Sequence, residues 1–138
     1  MNIALMSDEN RQELMVQFCI AYCGILAKHT LCATHTTGRM VAEATGLDVE
    51  LLFTHDHGGC QQIGARIAYD EIDMVLFFTG PKSVAYEDDL HYICHLCDTY
   101  NIPCATNIAT AEMLIHGLAR GDLDWRDVVR SRKTKIVL

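Results

Sequence analysis

A chain of 138 residues, half of it apolar, has the length and composition of one domain built on a single sizeable core. Its formal charge of −7 excludes the broad basic face with which proteins hold a nucleic-acid polymer. No run approaches the roughly 18 continuous apolar residues of a membrane helix, and the first apolar run lacks the basic start and cleavage pattern of a signal peptide, so a cytoplasmic protein without a membrane partner is expected.

The run "NIALMS" reads as a buried strand, and "ENRQELMVQFCIAYCGILAK" after it spaces Leu14, Phe18 and Ile25 as one helix would. The alternation then repeats: "TLCATH" with "TGRMVAEATG", "VELLFT" with "CQQIGARIAYD", "DMVLFFT" with "EDDLHYICHLCDTY", and "IPCATN" with "ATAEMLIHGLAR". Short apolar strands separated by amphipathic helices need crossovers that cover both faces of a sheet. The expected fold is therefore α/β, a single doubly wound domain over residues 1–130 with a five-stranded, mainly parallel sheet. "DLDWRDVVR" suggests one more helix, and residues 131–138 form a basic, then apolar tail that either stays loose or docks on a neighbour.

Seven cysteines is an odd number, and several fall inside apolar runs, which predicts free thiols in a reducing compartment and not a disulfide framework. In "CHLC" the helical period places Cys94 and Cys97 on the apolar stripe of Leu90 and Ile93, so packing is preferred there to chemistry. His91 and His95 fall on the solvated side of the same helix.

In doubly wound folds the ligand sits beyond the carboxyl ends of the strands. Those ends hold "MSDENR", "ATHTTGR", "FTHDHGGC", "FTGPKSVAYEDD" and "ATNIAT", and with them most of the unusual polar residues. Hydroxyls in "THTTG" and amide groups in "HGGC" suit a phosphate, because a helix start offers unpaired N–H groups and partial positive charge. Thr-Thr-Gly is equally ordinary helix-start chemistry. His55, Asp56, His57 and Cys60 have zinc-ligating side chains, but their spacing matches no familiar zinc pattern, so a polar loop without metal or cofactor is expected. Cys60, opening a helix after Gly58 and Gly59, is either a thiol activated by the helix dipole or a small residue beneath the pocket. Arg11 and Lys82 either neutralise a phosphate or are surface charges.

Over about residues 1–130 the chain resembles the methylglyoxal synthases, enzymes that remove phosphate from dihydroxyacetone phosphate. The landmarks are "NIALMSD", "CATHTTG", "EATGL", "GGCQQIGARI", "DMVLFF" followed by "GP", and "YNIPCATNIATAEMLI". The resemblance implies a doubly wound domain assembled as a homohexamer. It also implies phosphate contacts at Thr34, Thr36 and Thr37, at Thr54 in place of serine, and at Arg11 in place of lysine. The family's base lies in "GGDQQ", and here Cys60 stands at that position.

Other departures cluster in the same loops. The family's "HD" aligns with Ser7 and Asp8, its "GTTG" has become "HTTG" through His35, and its "SGP" is Thr54-His55-Asp56. Its "DP" is Gly80-Pro81, and its "PHEPD" aligns with "AYEDD", which brings Tyr86 and Asp89. The leading expectation is thus a protein that senses or sequesters a phosphorylated small molecule, with a nucleotide-like one among the candidates, without the family's reaction. Tyr86, His35 and His57 would face a base, while the threonines and Arg11 hold phosphate. The alternative is an active synthase in which Asp8, Asp56 or Asp89 supplies the base and a histidine the acid. A zinc or redox protein built on Cys60 is the third reading.

Overall fold

Residues 2–7 carry six consecutive strand-forming positions whose side chains are covered on both faces, as a central parallel strand requires. This strand, β1 (Asn2–Ser7), is flanked by β2 (Thr30–Ala33) and β4 (Met74–Phe78), with β3 (Val49–Leu51) and β5 (Cys104–Ala105) at the edges. The order is β3-β2-β1-β4-β5, and every pairing is parallel. The computed structural model describes residues 1–81 and 84–130; Lys82 and the tail over 131–138 lie outside the described residues. Among the described residues no helix is long and apolar enough to cross a membrane.

Helices α1 (Gln12–Ala21), α2 (Cys23–Leu26), α3 (His35–Thr45), α4 (Gly59–Ala68), α5 (Glu87–Tyr100) and α6 (Ile108–Arg120) fill the crossovers and the return after β5. Right-handed crossovers put helices on one face while the chain steps from β1 to β3, and on the other once it steps back to β4 and β5. Accordingly Ile3, Leu5, Leu76 and Phe78 of the sheet pack with Phe18 of α1, Val41 of α3 and Ile115 of α6. Their alternate neighbours Ala4, Met6, Val75 and Phe77 pack with Ile63 and Ile67 of α4 and Ile93 and Cys97 of α5.

Two sequence expectations need correction. The first predicted helix is interrupted at Tyr22 (φ −111°, ψ 23°), whose ring packs 4.9 Å from Phe18 and edge-on to His116 at 5.4 Å. The edge strands are also shorter than their apolar runs, because each has a neighbour on one side only and its following residues turn away into loops. Residues 125–130 are helical, as predicted. They are pinned where Asp73, 1% exposed, accepts hydrogen bonds from Asn2 N–H (2.7 Å), Arg126 Nε (3.0 Å) and Arg130 Nη2 (2.6 Å).

The direction of winding reverses between β1 and β4, so the crevice beyond their carboxyl ends is the topological switch point. Asp8 closes its floor. Its N–H donates to Phe78 O (3.0 Å), and its carboxylate accepts from the N–H groups of Gly80 (2.7 Å) and Asn10 (2.9 Å).

Candidate functional site

Above this floor lies a cavity of about 510 Å³ lined by residues of four strand-end loops, among them Ser7, Glu9, Thr36, Thr54, Asp56 and Tyr86. Thr34, Thr37, Gln12, His55 and His57 complete its wall. The "THTTG" hydroxyls arrive there because Thr34 caps α3 in extended backbone without spending its own side chain on a capping bond. Thr37 Oγ1 is held 3.0 Å from Ser7 Oγ, tying the start of α3 to the end of β1. The first intrahelical bond of α3 runs from Gly38 N–H to Thr34 O (2.9 Å), so the amides of Thr36 and Thr37 precede it and suit an anion.

The "THDHGGC" stretch forms a short 3-10 turn, His55–His57, before α4. Two glycines make that turn. Gly58 adopts φ +98°, a left-handed conformation that other residues rarely take, and at Gly59 a Cβ would collide with the carbonyl oxygen of Phe53. The turn directs Asp56 and His57 at the cavity, with His57 Nδ1 2.7 Å from Thr54 Oγ1. His55 Nε2 lies 2.8 Å from Asp89 Oδ2, and the His55 ring stacks on Tyr86 with centroids 4.0 Å apart. Burial, followed by the carboxylates of Glu9, Asp56, Asp8 and Asp89, pushes the Tyr86 phenol up, so it is a neutral hydrogen-bond donor at neutral pH.

Several expected site residues take other places. Cys60 is fully buried in the core between α4 and the sheet; burial and then Asp89 push its thiol up to about 12. The helix start therefore fails to activate it, because desolvation of the thiolate outweighs the dipole. Arg11 is not among the residues lining the cavity, since its guanidinium turns onto the β4 loop, where a Cβ at Gly80 would come within 2.9 Å of it. Asp8 is 1% exposed and committed to the loop amides already described. His35 lines an adjoining apolar hollow of about 470 Å³ with Leu52, Phe53, Thr54 and His57.

Glu9 and Gln12 were missed. They sit three residues apart, Glu9 in the turn after β1 and Gln12 at the start of α1, and both line the cavity. That spacing was readable once the first strand was placed, but only the start of α1 at Gln12 fixes which residues face inward.

As a whole the cavity offers hydroxyls and helix amides for an anion, carboxylates for proton abstraction and imidazoles for proton transfer. Among the described residues no group of three or more histidine, cysteine or carboxylate side chains is arranged to hold a metal ion.

A family model described as the MGS-like domain matches residues 15–106. The chain is 54% identical over 136 residues to the methylglyoxal synthase of Caldicellulosiruptor saccharolyticus, covering 98% of this chain and 96% of that one. It is 47% identical to the enzyme of that name from Oceanobacillus iheyensis over 98% of this chain and 97% of the relative. The crystal structure of methylglyoxal synthase from Elizabethkingia anophelis superposes with a TM-score of 0.77 at 34% identity, over 83% of this chain and 76% of that one.

Proposed function

The chain belongs to the methylglyoxal synthase family, and from that premise we propose that it converts dihydroxyacetone phosphate to methylglyoxal and phosphate with a rearranged catalytic set. This reading replaces binding alone as the leading one, because relatives of about half-identical sequence over nearly the whole chain carry the enzyme's name. The observation that carries it is the convergence of threonine hydroxyls, Asp56, Glu9 and the His55–Asp89 pair on one cavity.

In the reaction a base takes a proton from the hydroxymethyl carbon to give an enediolate with the carbonyl carbon, and as its electrons return they break the C–O bond of the CH2 on the other side of the carbonyl and expel phosphate. The enol left behind tautomerises to methylglyoxal. Thr34, Thr36 and Thr37, with the first-turn amides of α3, hold the phosphate and stabilise it as it leaves. Asp56 is the base and His55, oriented by Asp89, carries a proton to the oxygen that gains charge. The Tyr86 phenol donates to the same region, and Asp8 keeps the two central loops together. No cofactor enters this scheme. A homohexamer in the cytoplasm belongs to the same reading.

The buried Cys60 favours a second reading, a phosphate-ligand sensor, because the position of the family's base carries a thiol with almost no anion at neutral pH. One assay separates the two: purified protein is given dihydroxyacetone phosphate, and released phosphate and methylglyoxal are both quantified, beside an Asp56→Asn variant. Equal release of both products, lost in the variant, supports the synthase. Saturable phosphate-ester binding with no product sinks it in favour of the sensor.

A further inference from the structure

The cavity offered to a phosphate carries no fixed positive charge. Among the described residues its wall includes the carboxylates of Glu9 and Asp56 but no lysine or arginine. Basic side chains of the surrounding elements are engaged elsewhere: Arg11 lies against Gly80, Arg39 of α3 pairs with Glu43 at 3.1 Å, and Arg66 of α4 pairs with Glu50. A dianion entering beside two carboxylates meets a repulsion that hydroxyls and helix amides offset only in part. Histidine is the lining residue type that can gain a positive charge near neutral pH.

His55 and His57 both line the cavity, and they differ in partner. His55 Nε2 lies 2.8 Å from Asp89 Oδ2, so a proton gained there is matched by a carboxylate. His57 Nδ1 lies 2.7 Å from Thr54 Oγ1, a neutral hydroxyl. Around His57 stand His55 and Asp56 of its own turn, Glu9 of the turn after β1 and Tyr86 at the start of α5. His35 of α3 shares the adjoining hollow with it, Asp8 lies in the floor, and Asp89 stands behind His55. As an imidazolium His57 donates Nδ1–H to Thr54 Oγ1, which frees the threonine hydroxyl hydrogen for an anion and leaves Nε2–H to serve it as well. We propose that His57, protonated as the ligand enters, is the counter-charge of the phosphoryl group, so that this cavity binds a dianion together with one proton from solvent. The inference rests on the reading that this cavity holds the substrate's phosphate, and it makes affinity rise as pH falls through the neutral range.

Sulfate is the probe, because it keeps both charges between about pH 6 and about pH 8, whereas a phosphate group titrates there itself. Calorimetric titration of the full-length protein with sodium sulfate, in two buffers of different ionisation enthalpy, counts the protons taken up. The expected result is net proton uptake on binding, with sulfate held about tenfold more weakly at about pH 8 than at about pH 6. Both effects vanish in His57→Gln and persist in His55→Gln. His57 is exposed and outside the core, so its substitution leaves the fold intact. Uptake that survives in His57→Gln, or sulfate binding that is absent or indifferent to pH, overturns the assignment. Dihydroxyacetone phosphate turnover is followed on the same samples: uptake at His57 without turnover counts against the synthase alone, and turnover without uptake counts against His57 alone.

Discussion

His55 Nε2 and Asp89 Oδ2 stand 2.8 Å apart, one from the turn before α4 and the other from the first turn of α5. The carboxylate fixes which imidazole nitrogen faces the cavity, and the Tyr86 ring stacked at 4.0 Å fixes the plane. If this pair carries a proton during phosphate elimination, Asp89→Asn lowers kcat about 10²-fold with little change in KM, and His55→Gln does at least as much. Steady-state kinetics on dihydroxyacetone phosphate reads both. Equal kcat in both variants would remove the pair from the mechanism.

Cys60 makes the opposite prediction. With its thiol up at about 12, only roughly one molecule in 10⁵ carries the anion at pH 7. Cys60→Ser therefore leaves kcat within about threefold of wild type. Its cost appears in thermal unfolding, since a hydroxyl enters an apolar core at a position with no exposure, for about 1–3 kcal/mol.

Thr36 is exposed at the start of α3 and lines the cavity, so its hydroxyl contributes nothing to packing. Thr36→Val raises KM for the phosphorylated substrate by about tenfold, the worth of one hydrogen bond to a charged group, with the melting temperature unchanged. Inorganic phosphate as a competitive inhibitor weakens in parallel, which isothermal titration checks directly.

Asp73 is a stability element remote from the cavity. Burial disfavours its charge, but Asn2 N–H and the guanidinium groups of Arg130 and Arg126 overcome this and hold its pKa below the usual carboxylate value. A carboxylate whose pKa falls on folding stabilises the native state above its unfolded pKa, and the contribution is lost as pH drops through the native value. Asp73→Asn, which leaves buried Arg126 partly unmatched, costs about 3–5 kcal/mol at pH 7. Thermal melts across pH test the sign, because the gap between variant and wild type must narrow below about pH 4.

Gly59→Ala forces the Phe53 carbonyl away from the start of α4. The Asp56 and His57 positions depend on that contact, so the variant loses turnover by at least tenfold even where circular dichroism reports an intact fold. Unaltered kinetics would mean the turn tolerates a shift that the geometry does not suggest.

The sequence alone determined the architecture, because five apolar strands alternating with 3.6-period helices admit few arrangements other than a parallel sheet covered on both faces. It also pointed to the strand ends whose loops line the cavity, since polar residues collected there and the threonines of "THTTG" opened a helix. Side-chain direction was not legible. Whether Cys60 met solvent or core, whether Arg11 or Gln12 faced the cavity, and whether Asp8 was a free carboxylate or a loop clamp each turned on a rotation of about 100° per residue at a helix start. Nothing local fixes that phase; it is set by where the preceding strand ends and by what the opposite face must bury. The pairing of His55 with Asp89 joins residues from separate elements, so only the packing of α4 and α5 on one sheet decided it.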